Sequence, residues 1–228
     1  MQSYFLVILK GSFLTVGVSL GALLVAVMFG LLGASAKLSG LKLPRAIAML
    51  YTTVIRGIPD LVLMLLVFYG GTIGINALLA ALGSTATVDI PPFAAGVVTI
   101  GFIYGAYMTE TFRGAILSIP KGQMEAAWAF GMGPRQTFFR ITLPQMVRYA
   151  LPGFTNNWLV LIKATALVSL IGLQEMTYLA KQAGAATRSP FLFFMFTGAL
   201  FLLYTWISLV ALNRLNARFS LGAKRGTL

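Results

Sequence analysis

Six charged residues, Arg56, Asp60, Glu110, Arg113, Lys163 and Glu175, fall within or at the edges of long apolar runs. Asp60 follows Arg56 by four positions and Arg113 follows Glu110 by three, spacings at which opposite charges meet on one helix face. Ionisable groups are costly in hydrocarbon and turn toward protein or water, so each is a candidate for lining a polar path. The alternative for Arg56 and Asp60 is an ion pair that neutralises both in place. Glu110 and Arg113 read as a structural pair near the end of their run. Lys163 and Glu175 are expected to face the path, unless Lys163 snorkels to the membrane surface. Covalent chemistry has few instruments here. The chain has no histidine and no cysteine, so the usual general base, thiol nucleophile and metal ligands are missing and no metal site is expected. The phosphate-cradling pattern G-x-x-x-x-G-K-[ST] is also absent, so any ATP must be hydrolysed by another polypeptide.

The elements that carry these charges are membrane helices. The 228 residues are 58% hydrophobic and 10% charged, with mean hydropathy +0.88, outside the range of soluble domains. Five runs are long enough to cross a bilayer: Ser12–Gly33, Ala48–Gly71, Pro92–Arg113, Asn156–Tyr178 and Phe191–Asn213. Counted from Ala48, Asp60 lies about 18 Å along the second run, close to mid-bilayer. The run before Ala34-Ser35-Ala36 is too long, and lacks the basic flank, for a cleaved signal peptide. Residues 72–91 read as an external loop with a short helix around Ile75–Leu82. The net charge of +12 does not imply nucleic acid, because the basic residues sit between apolar runs. Eleven of them (Lys37, Lys42, Arg45, Lys121, Arg135, Arg140, Arg148, Arg214, Arg218, Lys224 and Arg225) share one predicted side, against three on the other (Lys10, Lys181 and Arg188). The excess side is cytoplasmic, which leaves the N-terminus outside.

Between the third and fourth runs lies a polar, helix-capable segment, E-A-A-W-A-F-G-M-G-P-R-Q-T-F-F-R-I-T-L-P, from Glu125 to Pro144. Pro120-Lys121-Gly122 is a turn signal before it. Glu125 suits the start of a short helix, and Ala126, Ala127 and Ala129 give it a small surface. Gly131-Met132-Gly133 is a stop signal, and Pro134 suits the first turn of a second, amphipathic helix. Taken alone, this reads as a helix–turn–helix on the membrane surface, held by anionic lipid. The spacing of Glu125-Ala126-Ala127, Gly131, Ile141, Leu143 and Pro144 resembles the EAA loop of binding-protein-dependent ABC importer permeases. Arg56-Gly57-Ile58-Pro59, Glu110-Thr111-Phe112-Arg113-Gly114 and Ile119-Pro120-Lys121-Gly122-Gln123 resemble the polar amino-acid uptake branch of that family. The likeness spans roughly Ser12 to Asn213 and is strongest to subunits of histidine/lysine/arginine/ornithine and opine importers.

The resemblance implies an all-α integral membrane chain of the type I importer permease fold, with five core helices over residues 12–213 and a basic cytoplasmic tail over 214–228. It implies a multi-pass protein of the bacterial inner membrane and no enzyme. A homologous second permease subunit completes the path, a periplasmic amino-acid-binding protein delivers cargo, and two ABC ATPase subunits, which hold the ATP and Mg, bind the loops through Glu125, Ala126, Ala127, Gly131, Ile141, Leu143 and Pro144. No cofactor is expected on this chain. In the basic-amino-acid branch an acidic residue often follows R-G-x-P, as Asp60 does here. Its carboxylate would pair with a substrate's ammonium or guanidinium while Arg56 faces the substrate carboxylate. Importers of neutral or acidic amino acids, and ion-coupled secondary carriers, remain as alternatives. Gly17-x-x-x-Gly21 and Gly101-x-x-x-Gly105 are close-packing signals.

Overall fold

A computed structural model describes residues 2–220. It is all-helical among those residues: α1 (Gln2–Leu38), α2 (Lys42–Gly57), α3 (Asp60–Ala81), α4 (Pro92–Leu117), α5 (Lys121–Ala129), α6 (Pro134–Thr137), a π turn (Phe138–Thr142), α7 (Leu143–Ala164), a 3₁₀ turn (Thr165–Ile171), α8 (Met176–Thr187) and α9 (Pro190–Ser220). Five helical runs are long and apolar enough to cross a bilayer: Gln2–Leu38, Asp60–Ala81, Pro92–Leu117, Pro134–Ile171 and Pro190–Phe219. The terminal segment carrying Lys224 and Arg225 lies outside the described residues.

The strut of the bundle is α4. Ala95, Thr99, Ile103, Ala106 and Phe112 are among its many buried residues, and α1, α2, α3 and α7 all pack on it. Its most extensive partner is α1, whose buried stripe consists mostly of small residues, including Ser19, Ala22, Ala26, Gly30 and Gly33. Small side chains let two backbones approach closely where lipid offers no hydrophobic drive to associate. Both predicted close-packing pairs lie in this seam: Gly21 faces Val97, and Gly101 and Gly105 face Val25 and Phe29. Several buried hydroxyls donate within their own helices, as where Ser19 Oγ donates to the Thr15 carbonyl at 2.8 Å. A smaller apolar cluster joins the N-terminal half of α1 to α8 and α9 through Ile8, Met176, Ala180 and Phe193. Elsewhere α1 and α9 present large apolar side chains outward, such as Leu24 and Leu202, as a lipid-facing surface requires.

Two spans differ from their sequence expectation. The second does not run continuously from Ala48 to Gly71. Proline disfavours helical geometry in the residue before it, so Ile58 is extended (φ −111°, ψ 139°), and α2 ends at Gly57. Pro59 cannot donate a backbone hydrogen bond and becomes the N-cap of α3, which continues to Ala81 and absorbs the helix expected around Ile75–Leu82. The fourth span is displaced toward the N-terminus, from Asn156–Tyr178 to Pro134–Ile171. Arg135, Arg140 and Arg148 depress hydropathy over its first turns without interrupting the helix, and Gly172, at φ 88°, ends it. Glu175 therefore lies outside this span.

Candidate functional site

The break between α2 and α3 places its charges differently from an unbroken helix. Arg56 is in the last turn of α2, and Asp60 is the first residue of α3, where a negative charge suits the amide end of the helix. The two form no ion pair. Instead, each meets an aromatic residue of α4: the Arg56 guanidinium lies 5.4 Å from the Tyr107 ring centroid, and Asp60 Oδ2 accepts from Tyr104 Oη at 3.0 Å. The two tyrosine rings are 5.6 Å apart. Tyr104 stands midway along α4, so Asp60 is level with the middle of α4, although it is the first residue of its own span. Broken helices of this kind leave backbone amides and carbonyls free to line a cavity at depth.

Nearer the far end of α4 is a second polar group. Glu110 accepts from Lys37 in a short contact and from Arg113 at 3.4 Å, and Lys37 Nζ also reaches Thr52 Oγ1 at 2.5 Å. This ties the end of α1 to α2 and α4. Lys37, Thr52, Thr53, Arg56, Tyr107 and Glu110 line an open polar cavity of about 460 Å³. Sequence reasoning missed Lys37, Thr52, Tyr104 and Tyr107. The signal for the tyrosines was present, since Tyr104, Tyr107 and Glu110 recur at three-residue spacing along one face of α4.

Lys163 and Glu175 touch none of these groups. Lys163 is exposed in the last turn of α7, about 30 Å of helix beyond Leu143. Glu175 is 1% exposed and caps α8: its carboxylate accepts from Tyr178 N at 2.9 Å and from Thr15 Oγ1 at 3.1 Å. Burial pushes its carboxyl above the usual carboxylate range, against the lowering effect of these hydrogen bonds. The neutral form is thus favoured by folding, so its contribution to stability is present at low pH and declines as pH rises through the raised value. Glu175→Gln, which keeps an acceptor for Tyr178 N, is expected to leave the melting temperature of the purified complex unchanged or higher. Glu175→Leu, which strands Tyr178 N and Thr15, is expected to cost about 1–3 kcal/mol. A Glu175→Gln complex that melts normally yet transports nothing would show that the cap is not its whole role.

The segment from Glu125 to Pro144 forms a helical hairpin. Its first helix, α5, begins at Lys121, because Pro120 supplies the N-cap, so Glu125 is mid-helix rather than at its start. Glu125 and Ala126 are exposed, and Ala127 is buried. The helix ends on Phe130 with Gly131 at φ 78°: Gly131 N donates to the Trp128 carbonyl at 2.9 Å and Met132 N to the Ala127 carbonyl at 3.0 Å, a Schellman closure. Pro134 opens α6, as expected, but the second helix does not stop at the surface. It passes through the π turn, which contains Ile141, into α7, where Leu143 and Pro144 form the first turn. Trp128, Phe130 and Phe139 stand exposed on the hairpin. A large aromatic surface on a polar connection is suited to receiving a partner.

Residues 23–220 match the family described as "Binding-protein-dependent transport system inner membrane component". The chain is 50% identical over 222 residues to the histidine/lysine/arginine/ornithine transport system permease protein HisQ of Salmonella typhimurium, covering 97% of each. It is 41% identical over 218 residues to the octopine transport system permease protein OccQ of Rhizobium meliloti, covering 96% of the chain and 92% of the relative. Among solved structures, a chain of an amino acid ABC transporter crystallised with histidines superposes with TM-score 0.80 at 29% identity, over 96% of both. A chain of the inward-facing MetNI methionine ABC transporter shares the fold at 16% identity, with TM-score 0.71 over 96% of this chain and 99% of that one. A five-span bundle with a helical hairpin leading into its fourth span, matched along nearly its whole length, belongs to the binding-protein-dependent transport system inner membrane components: it is the permease subunit of an ABC importer, not an enzyme.

Proposed function

We propose that this permease carries basic amino acids, or opines derived from them, through a path lined by the α2–α3 break. The observation that carries the reading is the separation of Arg56 and Asp60 beside the middle of α4, each held by an α4 tyrosine and neither neutralising the other. A zwitterion with a cationic side chain presents charges complementary to both. The similarity to relatives named for histidine, lysine, arginine, ornithine and octopine transport supports the same class. The N-terminus lies outside and the hairpin and tail in the cytoplasm, a placement that the charge asymmetry supports. Two ATPase subunits dock on the hairpins of this chain and of a homologous second permease subunit, while a periplasmic binding protein delivers cargo. ATP binding shifts the pair between inward-open and outward-open states through its differential affinity for them.

Asp60→Asn tests the cargo assignment. It removes the charge and keeps an acceptor for Tyr104. Uptake of arginine-type substrates and substrate-stimulated ATPase are expected to fall roughly tenfold or more, the scale of one charge-assisted contact. Unchanged uptake by an intact complex would remove Asp60 from the path.

A further inference from the structure

We infer that the cavity between α1, α4, α7 and α9, on the hairpin side of the bundle, is a binding site for one acyl chain of an anionic phospholipid. The cavity measures about 440 Å³, and Ala34, Phe112, Phe138, Val147, Ala150 and Leu215 are among the residues lining it. Its floor is buried: Ala34, Phe112 and Ala150 are each no more than 6% exposed. A void of this size with an apolar wall needs an apolar occupant, because water there lacks hydrogen-bond partners. Hydrocarbon is the solvent that adjoins it in the membrane.

Charge specifies the headgroup. Arg148 directly follows the lining residue Val147, Arg214 directly precedes the lining residue Leu215, and Arg140 lies two positions beyond Phe138. Among the described residues both ion pairs use Glu110, so none of these three guanidiniums is neutralised by a carboxylate. Among the described residues, Arg148 meets the Tyr149 ring, 5.8 Å from its guanidinium carbon. Arginines that neighbour the lining residues in sequence, and that lack a carboxylate partner among the described residues, complement the phosphate of a lipid whose chain fills the cavity. Phe138 belongs to the π turn of the docking hairpin, so the same site would join hairpin, core and lipid leaflet.

The test uses the assembled transporter in nanodiscs of phosphatidylglycerol and phosphatidylcholine in equal parts, with a photo-crosslinking amino acid at position 215. The expected result is a phosphatidylglycerol adduct on this chain, read by intact mass, far above the phosphatidylcholine adduct. Ala150→Phe, which fills the cavity, is expected to abolish it. Arg148→Gln with Arg214→Gln, on accessible positions that leave the core untouched, is expected to weaken phosphatidylglycerol capture about thirtyfold, on the order of fivefold per guanidinium. Crosslinking to a second protein chain, equal capture of both lipids, or capture unaffected by the arginine changes would overturn the inference. None of these readouts depends on which cargo is transported.

Discussion

A transporter whose permease carries Gly131→Pro is expected to insert in the membrane and lose substrate-stimulated ATP hydrolysis, with uptake falling to background. Gly131 adopts φ 78°, and proline is confined near −65°, so the chain cannot reverse at this point as it does now. Proline also deletes the N–H that donates to the Trp128 carbonyl, and displaces the neighbouring bond from Met132 to Ala127. The close of α5 is therefore lost, and with it the direction in which Glu125, Ala126 and Trp128 face a partner. None of the five spans includes this residue, so insertion is unaffected. Gly131→Ala is expected to give an intermediate loss, because alanine tolerates a left-handed backbone at a cost of about 1–2 kcal/mol. Glu125→Lys reverses charge on the exposed face of α5 without altering its backbone, and should uncouple ATPase in the same way. Normal transport with both Gly131→Pro and Glu125→Lys would exclude this hairpin as the docking element.

The second large effect is on folding. A Cβ at Gly105 would come within 2.6 Å of Phe29 Cβ and 2.8 Å of Tyr51 Oη. Neither neighbour is free to yield: Phe29 belongs to the tightly packed seam of α1, and Tyr51 Oη donates to the Phe102 carbonyl at 2.5 Å. Gly105→Val must force α1 and α4 apart or displace α2, and overpacking of this kind costs at least about 1–3 kcal/mol. Protein recovered as a monodisperse complex is expected to fall severely. Gly114, on the same helix, has nothing within 4 Å of where a Cβ would stand, so Gly114→Ala should be neutral or raise the melting temperature slightly. Equal behaviour of the two variants in a thermal-melt series would refute the α1–α4 seam as the determinant.

What could be read from the sequence follows what each signal measures. Apolar length counts spans well, and the first, third and fifth lie within α1, α4 and α9. It locates them poorly where a helix is interrupted or its first turns are charged. Ala48–Gly71 looks continuous to any average, although Pro59 decides the conformation of Ile58. The start of α7 is obscured by arginines that a helix at the membrane surface tolerates. The helical hairpin was legible because Pro120, Gly131 and Pro134 act through local backbone rules. The Lys37–Glu110 contact was not, because it joins residues 73 positions apart and depends on how α1 crosses α4. Glu175 misled for a related reason: a buried carboxylate and a helix cap look alike until its partner Thr15 is known.

The interruption at Ile58-Pro59 also decides how force travels. A continuous helix is a rod that transmits torque and thrust, and a two-residue extended joint is a hinge that transmits neither well. Motion of α2 therefore need not turn α3. α4 has no such joint, and three residues separate its end from α5. From Leu117 to Tyr104 is about 20 Å of unbroken rod. A displacement of the Leu117 end of α4 would thus reach Tyr107 and Tyr104 together, and shift the supports of Arg56 and Asp60 in one stroke while the joint between those two charges flexes.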